Sequence, residues 1–372
     1  MPNKIPYVNL IKQAALDKKK IFNSISKIFL NGNFILGDEV EKFEKQICKI
    51  LNIKYCVALN SGTDALVLGL LLIGVKRGDE VITPPNSFVA STASIVHLGA
   101  KPVFADVKED QNIHPFEIEK KITKKTKAIM PVHLSGRSCE MDVIIKISKK
   151  YNIPIIEDAA QSIGSKYGDK YVGTFGEVGC FSAHPLKNLN AIGDAGYLVT
   201  NNHQIAKKAK QLRNHGIENR NNILSFGYVS RMDSLQAGVL NIRLRNLKSV
   251  INKRRYNASL YFKFLKKIKN IILPLERKKE YNTYHTFVIR AEKRNKLKNY
   301  LEKKKISTAI HYPNLIFEQP AYIKKFGKIK LNAFPNSKML KNSILTLPVN
   351  QFIKKRQILK ICREINFFYK NR

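Results

Sequence analysis

The chain of 372 residues has no tryptophan, five cysteines, and 28 acidic residues against 66 basic ones. Each shortage excludes something. The cysteines, Cys48, Cys56, Cys139, Cys180 and Cys362, are odd in number, far apart and without a C-x-x-C pair. Neither a disulfide framework nor a metal site is expected, and reduced thiols in a cytoplasmic protein are the simplest account. The longest apolar run, Ala65 to Val75, falls well short of the ~20 residues a membrane helix needs, and the start, Met1-Pro2-Asn3-Lys4, lacks a signal-peptide core. Neither a membrane span nor secretion is expected. Internal repeats and low-complexity linkers are also missing.

The scarcity of acids leaves a formal net charge of +38, which taken alone suggests nucleic acid or an anionic surface as partner. The basic residues form no single arm. Clusters such as Lys18-Lys19-Lys20, Lys253-Arg254-Arg255, Lys303-Lys304-Lys305 and Lys354-Lys355-Arg356 recur between apolar residues, at the spacing of solvated helix faces. No nucleic-acid-binding motif accompanies them, so no nucleic-acid partner is expected.

Apolar residues make up 44% and charged residues 25%, the balance of a globular protein. Seven short β-branched or apolar runs bounded by turn residues read as strands: 56–60, 80–83, 102–107, 127–134, 154–158, 178–183 and 196–200. Helical patterns separate most of them, at 64–72, 88–98, 115–122 and 141–151. That alternation predicts an α/β domain with a seven-stranded, mainly parallel sheet. The last two strands are joined by a short polar segment, which suits a hairpin carrying a site. A periodic segment from Asp233 to Leu265 reads as one helix or a bent pair leading away from the sheet. The organisation expected is a large domain at 1–245, opening with a helical segment, and a smaller C-terminal α+β domain at 246–372.

In open α/β sheets ligands sit beyond the carboxyl ends of parallel strands, so polar residues there are candidates. Asn60-Ser61-Gly62-Thr63 runs into a helix whose free N–H groups and dipole suit a phosphate, although an ordinary N-cap has the same look. Glu157-Asp158-Ala159-Ala160-Gln161 puts an acid at the end of a buried strand, where it needs a cationic partner unless it merely caps a loop. Phe88, after Thr83-Pro84-Pro85-Asn86-Ser87, is either core or a ring stacked on a ligand. Lys187, in Ser182-Ala183-His184-Pro185-Leu186-Lys187-Asn188, would by itself be a surface charge.

Taken together, these segments resemble the DegT/DnrJ/StrS family of sugar aminotransferases, fold type I enzymes that use pyridoxal 5'-phosphate. The resemblance extends through Phe34-Ile35-Leu36-Gly37, Gly78-Asp79-Glu80-Val81-Ile82, Val132-His133-Leu134, Ser230-Arg231-Met232-Asp233 and His311-Tyr312-Pro313, and so covers nearly the whole chain. It implies that Lys187 joins the cofactor aldehyde, Asp158 pairs with the pyridine nitrogen, Gln161 lies near the ring oxygen and Phe88 stacks on the ring. Gly62, Thr63 and Ser182 would hold the phosphate. His311 and Tyr312 would reach the sugar. His184 is open between packing and a hydrogen bond to substrate. Arg231 would serve the site of a neighbouring subunit in a homodimer, where Val229 departs from an asparagine common in the family. Phe317 replaces a frequent histidine.

The activity implied is transfer of an amino group from an amino acid, L-glutamate above all, to a nucleotide-linked keto-sugar, within polysaccharide or glycoprotein biosynthesis. A dehydratase of the same fold is the alternative among enzymes, and its relatives carry histidine in place of Lys187. A basic regulatory or nucleic-acid-binding protein on the same fold is the alternative of another class.

Overall fold

The computed structural model describes residues 4–370. The seven sequence-predicted strands form β1 (Tyr55–Leu59), β2 (Glu80–Thr83), β3 (Lys101–Phe104), β4 (Thr126–Ile129), β5 (Ile156–Asp158), β6 (Val178–Ser182) and β7 (Gly196–Thr200). Two ladders, β3-β2-β4 and β5-β6-β7-β1, adjoin through the parallel bridges Ile129–Ile155 and Val132–Asp158. The strands run parallel except β7, which is antiparallel to both neighbours and makes the expected hairpin with β6.

β3 and β4 end several residues earlier than expected. β3 stops before Asp106 because that carboxylate turns to cap the helix Pro335–Ser343, accepting from Asn336 N, Ser337 N and Ser337 Oγ. β4 stops at Ile129, shortly before Pro131, which has no N–H to give a ladder.

Helices cover the sheet. α1 (Leu10–Asn31) and α2 (Asp38–Leu51) precede it, and α3 (Gly62–Leu72) and α4 (Val89–His97) follow β1 and β2. Burial in α3 involves Ala65, Leu66, Leu68 and Leu70, so this helix lies deep in the α/β layers. By contrast α1 buries only Ile21 and Ile28 and leaves Ile11, Leu16, Phe22, Phe29 and Leu30 exposed.

The segment 233–265 is a pair of helices, Ser234–Leu244 and Leu247–Leu265, and the boundary expected at 245/246 falls in the link between them. In the second helix Ile251, Arg254, Ala258, Tyr261 and Leu265 recur at spacings of three and four and are all buried. Leu247 and Ile251 pack into the core under α2 and β7. Ala258, Tyr261 and Leu265 pack into a separate C-terminal core, built on the antiparallel strands Ile271–Ile272, Phe287–Ala291 and Ile344–Leu347 and on the helix Lys355–Lys370. The reading of Lys253-Arg254-Arg255 as a solvated face is therefore corrected. Lys253 is exposed, but Arg254 falls on the inner stripe and is buried.

Candidate active site

A cavity of about 450 Å³ opens where β5, β6 and the start of α3 meet the C-terminal body. The chain enters α3 through Ser61, whose backbone is extended and whose Oγ accepts from Asp64 N at 3.1 Å. The N–H groups of Gly62 and Thr63 come first in the helix, so no carbonyl of the helix can accept from them. Tight packing holds this turn in place. A Cβ on Gly62 would lie 2.7 Å from Ser182 Cβ, and one on Gly196 would lie 2.2 Å from the Ser61 carbonyl carbon. Small residues thus let a helix N-terminus and two strand ends converge on one spot, which is the cradle a phosphate needs.

Asp158 ends β5 and is buried. Its Oδ2 accepts from Ser91 Oγ at 2.7 Å and its Oδ1 from Ala160 N at 3.1 Å, so hydrogen bonds aim the carboxylate into the cavity wall without neutralising it. Lys187, in the β6–β7 connection, is half-buried in the same wall. Burial pushes its amine down to about 8, and the charge of Asp158 only partly offsets this. Gln161 is held at both ends: Oε1 accepts from Ser135 N at 2.9 Å and Nε2 donates to Tyr312 Oη at 3.4 Å.

Phe88 caps α4 and leaves 55% of its surface exposed, its ring centroid 6.1 Å from that of Tyr312. A core role for Phe88 is excluded, and its ring is free to cover a planar ligand. His184 is exposed on the rim, with Nδ1 accepting from Leu186 N at 3.3 Å.

The C-terminal body contributes His311 and Tyr312 to the opposite wall. Nδ1 of His311 lies 3.0 Å from Thr346 Oγ1, and burial, reinforced by Lys187, pushes the imidazole down to about 4. It is neutral at physiological pH. Burial and the nearby Asp158 raise the Tyr312 phenol to about 12, so it stays protonated.

Arg231 is not brought to this cavity within one chain: its Nη1 donates to Asn214 Oδ1 at 3.0 Å. Val229, bridged to Asn214, is exposed beside it. Phe317 also stays away from the cavity and packs with Phe104 and Phe334.

Four polar residues from outside the sheet are among the lining residues that carried no site signal in the sequence. Tyr7 and Asn350 come from the two ends of the chain, joined by Asn350 Nδ2 donating to Tyr7 O at 3.0 Å. Arg254 and His285 come from the helix Leu247–Leu265 and the segment before Phe287. Burial, then Lys187 and Arg254, hold the His285 imidazole well below the usual histidine range, and its Nδ1 has no hydrogen-bond partner. For Arg254 a signal of burial did exist, since its spacing from Ile251 and Ala258 places it on an apolar stripe.

These residues fit a phosphorylated pyridine aldehyde: a cradle for the phosphate, an acid for a ring nitrogen, an amine of lowered basicity and an aromatic cover. The comparisons agree. A pleiotropic regulatory protein of Geobacillus stearothermophilus is 35% identical over 99% of this chain and 99% of its own. A dTDP-3-amino-3,6-dideoxy-alpha-D-galactopyranose transaminase of Aneurinibacillus thermoaerophilus is 37% identical over 97% of this chain and 99% of its own. Among solved structures, Streptomyces venezuelae DesV in complex with a ketimine intermediate matches with a TM-score of 0.95 at 32% identity, covering 98% of each chain. NtdA of Bacillus subtilis, solved with bound pyridoxamine phosphate, matches with a TM-score of 0.92 at 30% identity, covering 100% of this chain and 86% of its own. The cofactor is pyridoxal 5'-phosphate and its amine form. Residues 15–366 match the DegT/DnrJ/EryC1/StrS aminotransferase family, to which the chain belongs.

Proposed function

We propose that this aminotransferase moves the amino group of an amino acid, L-glutamate, to a ketone on a nucleotide-linked sugar. The observation that carries the reading is the placement of Lys187 and Asp158 in one cavity wall beside an open helix N-terminus. Nucleotide-sugar transaminases among the relatives support it.

Pyridoxal phosphate supplies an aldehyde that exchanges amines and a ring that draws electrons from the adjacent bond. The residues of the chain do the rest. Gly62 N–H, Thr63 N–H and the Ser182 hydroxyl would hold the phosphate. Asp158, oriented by Ser91 and Ala160, would keep a proton on the ring nitrogen. Gln161, fixed by Ser135, would serve the ring oxygen, and Phe88 would cover the ring. Nζ of Lys187, with its lowered basicity, would serve as a nucleophile in its neutral form and as a proton carrier. His311 and Tyr312 meet the sugar as neutral hydrogen-bonding groups, and His184 stands at the entrance.

A dehydratase reading would leave the amine of Lys187 without a task. A regulatory reading, raised by the name of the Geobacillus relative, would need none of this arrangement. We further infer a division at 245/246 into a cofactor-binding and a C-terminal domain, a cytoplasmic setting in polysaccharide biosynthesis, and a homodimer. The apolar residues that α1 leaves exposed, and the exposed Ile223, Leu224, Phe226 and Val229, support the homodimer. No helix among the described residues is long and apolar enough to cross a membrane.

The test is the near-UV and visible spectrum of the loaded protein before and after L-glutamate. Conversion to the pyridoxamine form is expected. A loaded protein whose spectrum no amino acid changes would overturn the reading.

A further inference from the structure

Among the described residues five arginines are buried, and they differ in how their charge is met. Arg137 grips Glu280, Arg213 meets Glu44 and Arg243 meets Asp17. Arg294 has no acid, but each of its three nitrogens donates, to Asn295 Oδ1, Ile344 O and Lys341 O. Arg254, at 4% exposure, has neither arrangement. Its Nη1 donates to the carbonyls of Tyr284 at 3.2 Å and His285 at 3.1 Å, while Nε is buried without a partner and, among the described residues, no hydrogen bond engages Nη2. Burial pushes its guanidinium down to about 10, and the nearby Tyr7 only partly offsets this.

A buried cation with unmet donors is costly to keep, and this one lines the cavity assigned above to two anionic substrates. The free edge, Nε with Nη2, has the geometry for a two-oxygen anion. Arg137 uses that same edge on Glu280, with Nε at 3.0 Å from Oε1 and Nη2 at 2.7 Å from Oε2. His285, whose Nδ1 is also unpartnered, offers a further polar contact on the cavity wall.

We propose that the Nε/Nη2 edge of Arg254, with His285 beside it, anchors an anionic oxyacid group of a substrate: the carboxylate of the amino donor or a phosphate of the nucleotide. This rests on the aminotransferase reading and names a binding group within it. The two carbonyls at Nη1 fix the guanidinium plane, so the anion meets an oriented fork. Arg254 is a binding residue, since nothing in the transfer requires it to take or give a proton.

The experiment uses the loaded protein as wild type, Arg254→Lys and Arg254→Gln. Both substitutions retain a donor for the carbonyls of Tyr284 and His285, and Lys also retains the charge. Binding of two unreactive probes, glutarate and inorganic pyrophosphate, is measured by calorimetry on the pyridoxamine form. The half-saturating concentration of L-glutamate is measured from the spectral half-reaction. A charge-assisted pair is worth about 10- to 100-fold in affinity, so Arg254→Gln should weaken its ligand by that factor and Arg254→Lys by less. Loss confined to glutarate and L-glutamate assigns the donor carboxylate. Loss confined to pyrophosphate assigns the nucleotide.

A wild type that binds neither probe overturns the proposal, as does an Arg254→Gln protein that binds both normally. An equal fall in cofactor affinity, thermal midpoint and both probes also overturns it, because that pattern marks a structural role. Failure of the aminotransferase reading looks different: the wild-type spectrum does not respond to any amino acid.

Discussion

The two walls of the cavity are built on opposite plans. In the sheet wall, the side chains of Asp158 and Gln161 are fixed before any ligand arrives: both oxygens of Asp158 and both ends of Gln161 are engaged, and the first N–H groups of α3 stay open. In the wall from the C-terminal body, Nε of Arg254 and Nδ1 of His285 have no partner. A group that must hold one resident molecule gains from being fixed in advance, since no ordering cost falls on binding. Groups that meet substrates arriving and leaving in turn keep free donors and acceptors.

The comparison breaks most sharply at Lys187. Replacing Lys187 by Ala should abolish transfer, a loss beyond the roughly 10⁴-fold upper range for one proton-transfer group, with circular dichroism unchanged. Retained turnover would remove the sheet wall from the chemistry. Next in size, Asp158→Asn keeps the shape and can still accept from Ala160 N, its amide donating to Ser91 Oγ instead of accepting from it, but it loses the charge. Transfer should fall on the order of 100-fold or more, with substrate half-saturation little altered. A variant that instead lost substrate affinity alone would place Asp158 with the other wall.

Gly196→Ala tests the cradle itself. The new methyl meets the Ser61 carbonyl carbon at 2.2 Å, backbone that cannot rotate away. Overpacking of this kind costs about 1–3 kcal/mol, and weakened pyridoxal phosphate binding in an equilibrium titration is the expected sign. Unchanged affinity would show that the turn at Ser61 does not hold the phosphate.

The pH dependence follows from the lowered basicity of Lys187. In the cofactor-free protein the neutral amine grows about tenfold per pH unit below about 8 and then levels off, so stopped-flow rates of aldehyde capture should do the same. The stability sign runs the same way. A folded value below the unfolded one means full stability above the usual lysine range, lost as pH falls through about 8. A capture rate that rises steadily to pH 10 would contradict the burial of this amine. The smallest effect belongs to Tyr312→Phe, which deletes only a 3.4 Å contact to Gln161 on the protein side. Less than about a tenfold change in transfer is expected, from a neutral hydrogen bond worth roughly 0.5–1.5 kcal/mol.

The walls also differ in how far the sequence displays them. Sheet-wall residues lie at or just past strand ends, so β-branched runs ending in Asn60, Asp158 and Ala183 point to them from the order of residues alone. Neighbours in sequence become neighbours in space there. The other wall collects Tyr7, Arg254, His285 and Asn350 over more than 340 positions, and only tertiary packing brings them together. Arg254 shows how composition can hide a position: it counts as one of 66 basic residues, while its place on the stripe Ile251, Arg254, Ala258 marks it as interior. Arg231 shows the reverse. Its motif is plain in the sequence, yet within one chain its bond to Asn214 leaves it outside the cavity.

The helix Leu247–Leu265 has a mechanical consequence. Its first turns are bolted into one core and its later turns into another, and Arg254 sits between the two sets of fastenings. A rod seated at both ends couples the two cores, and the guanidinium lies at the coupling, on the wall of the cavity.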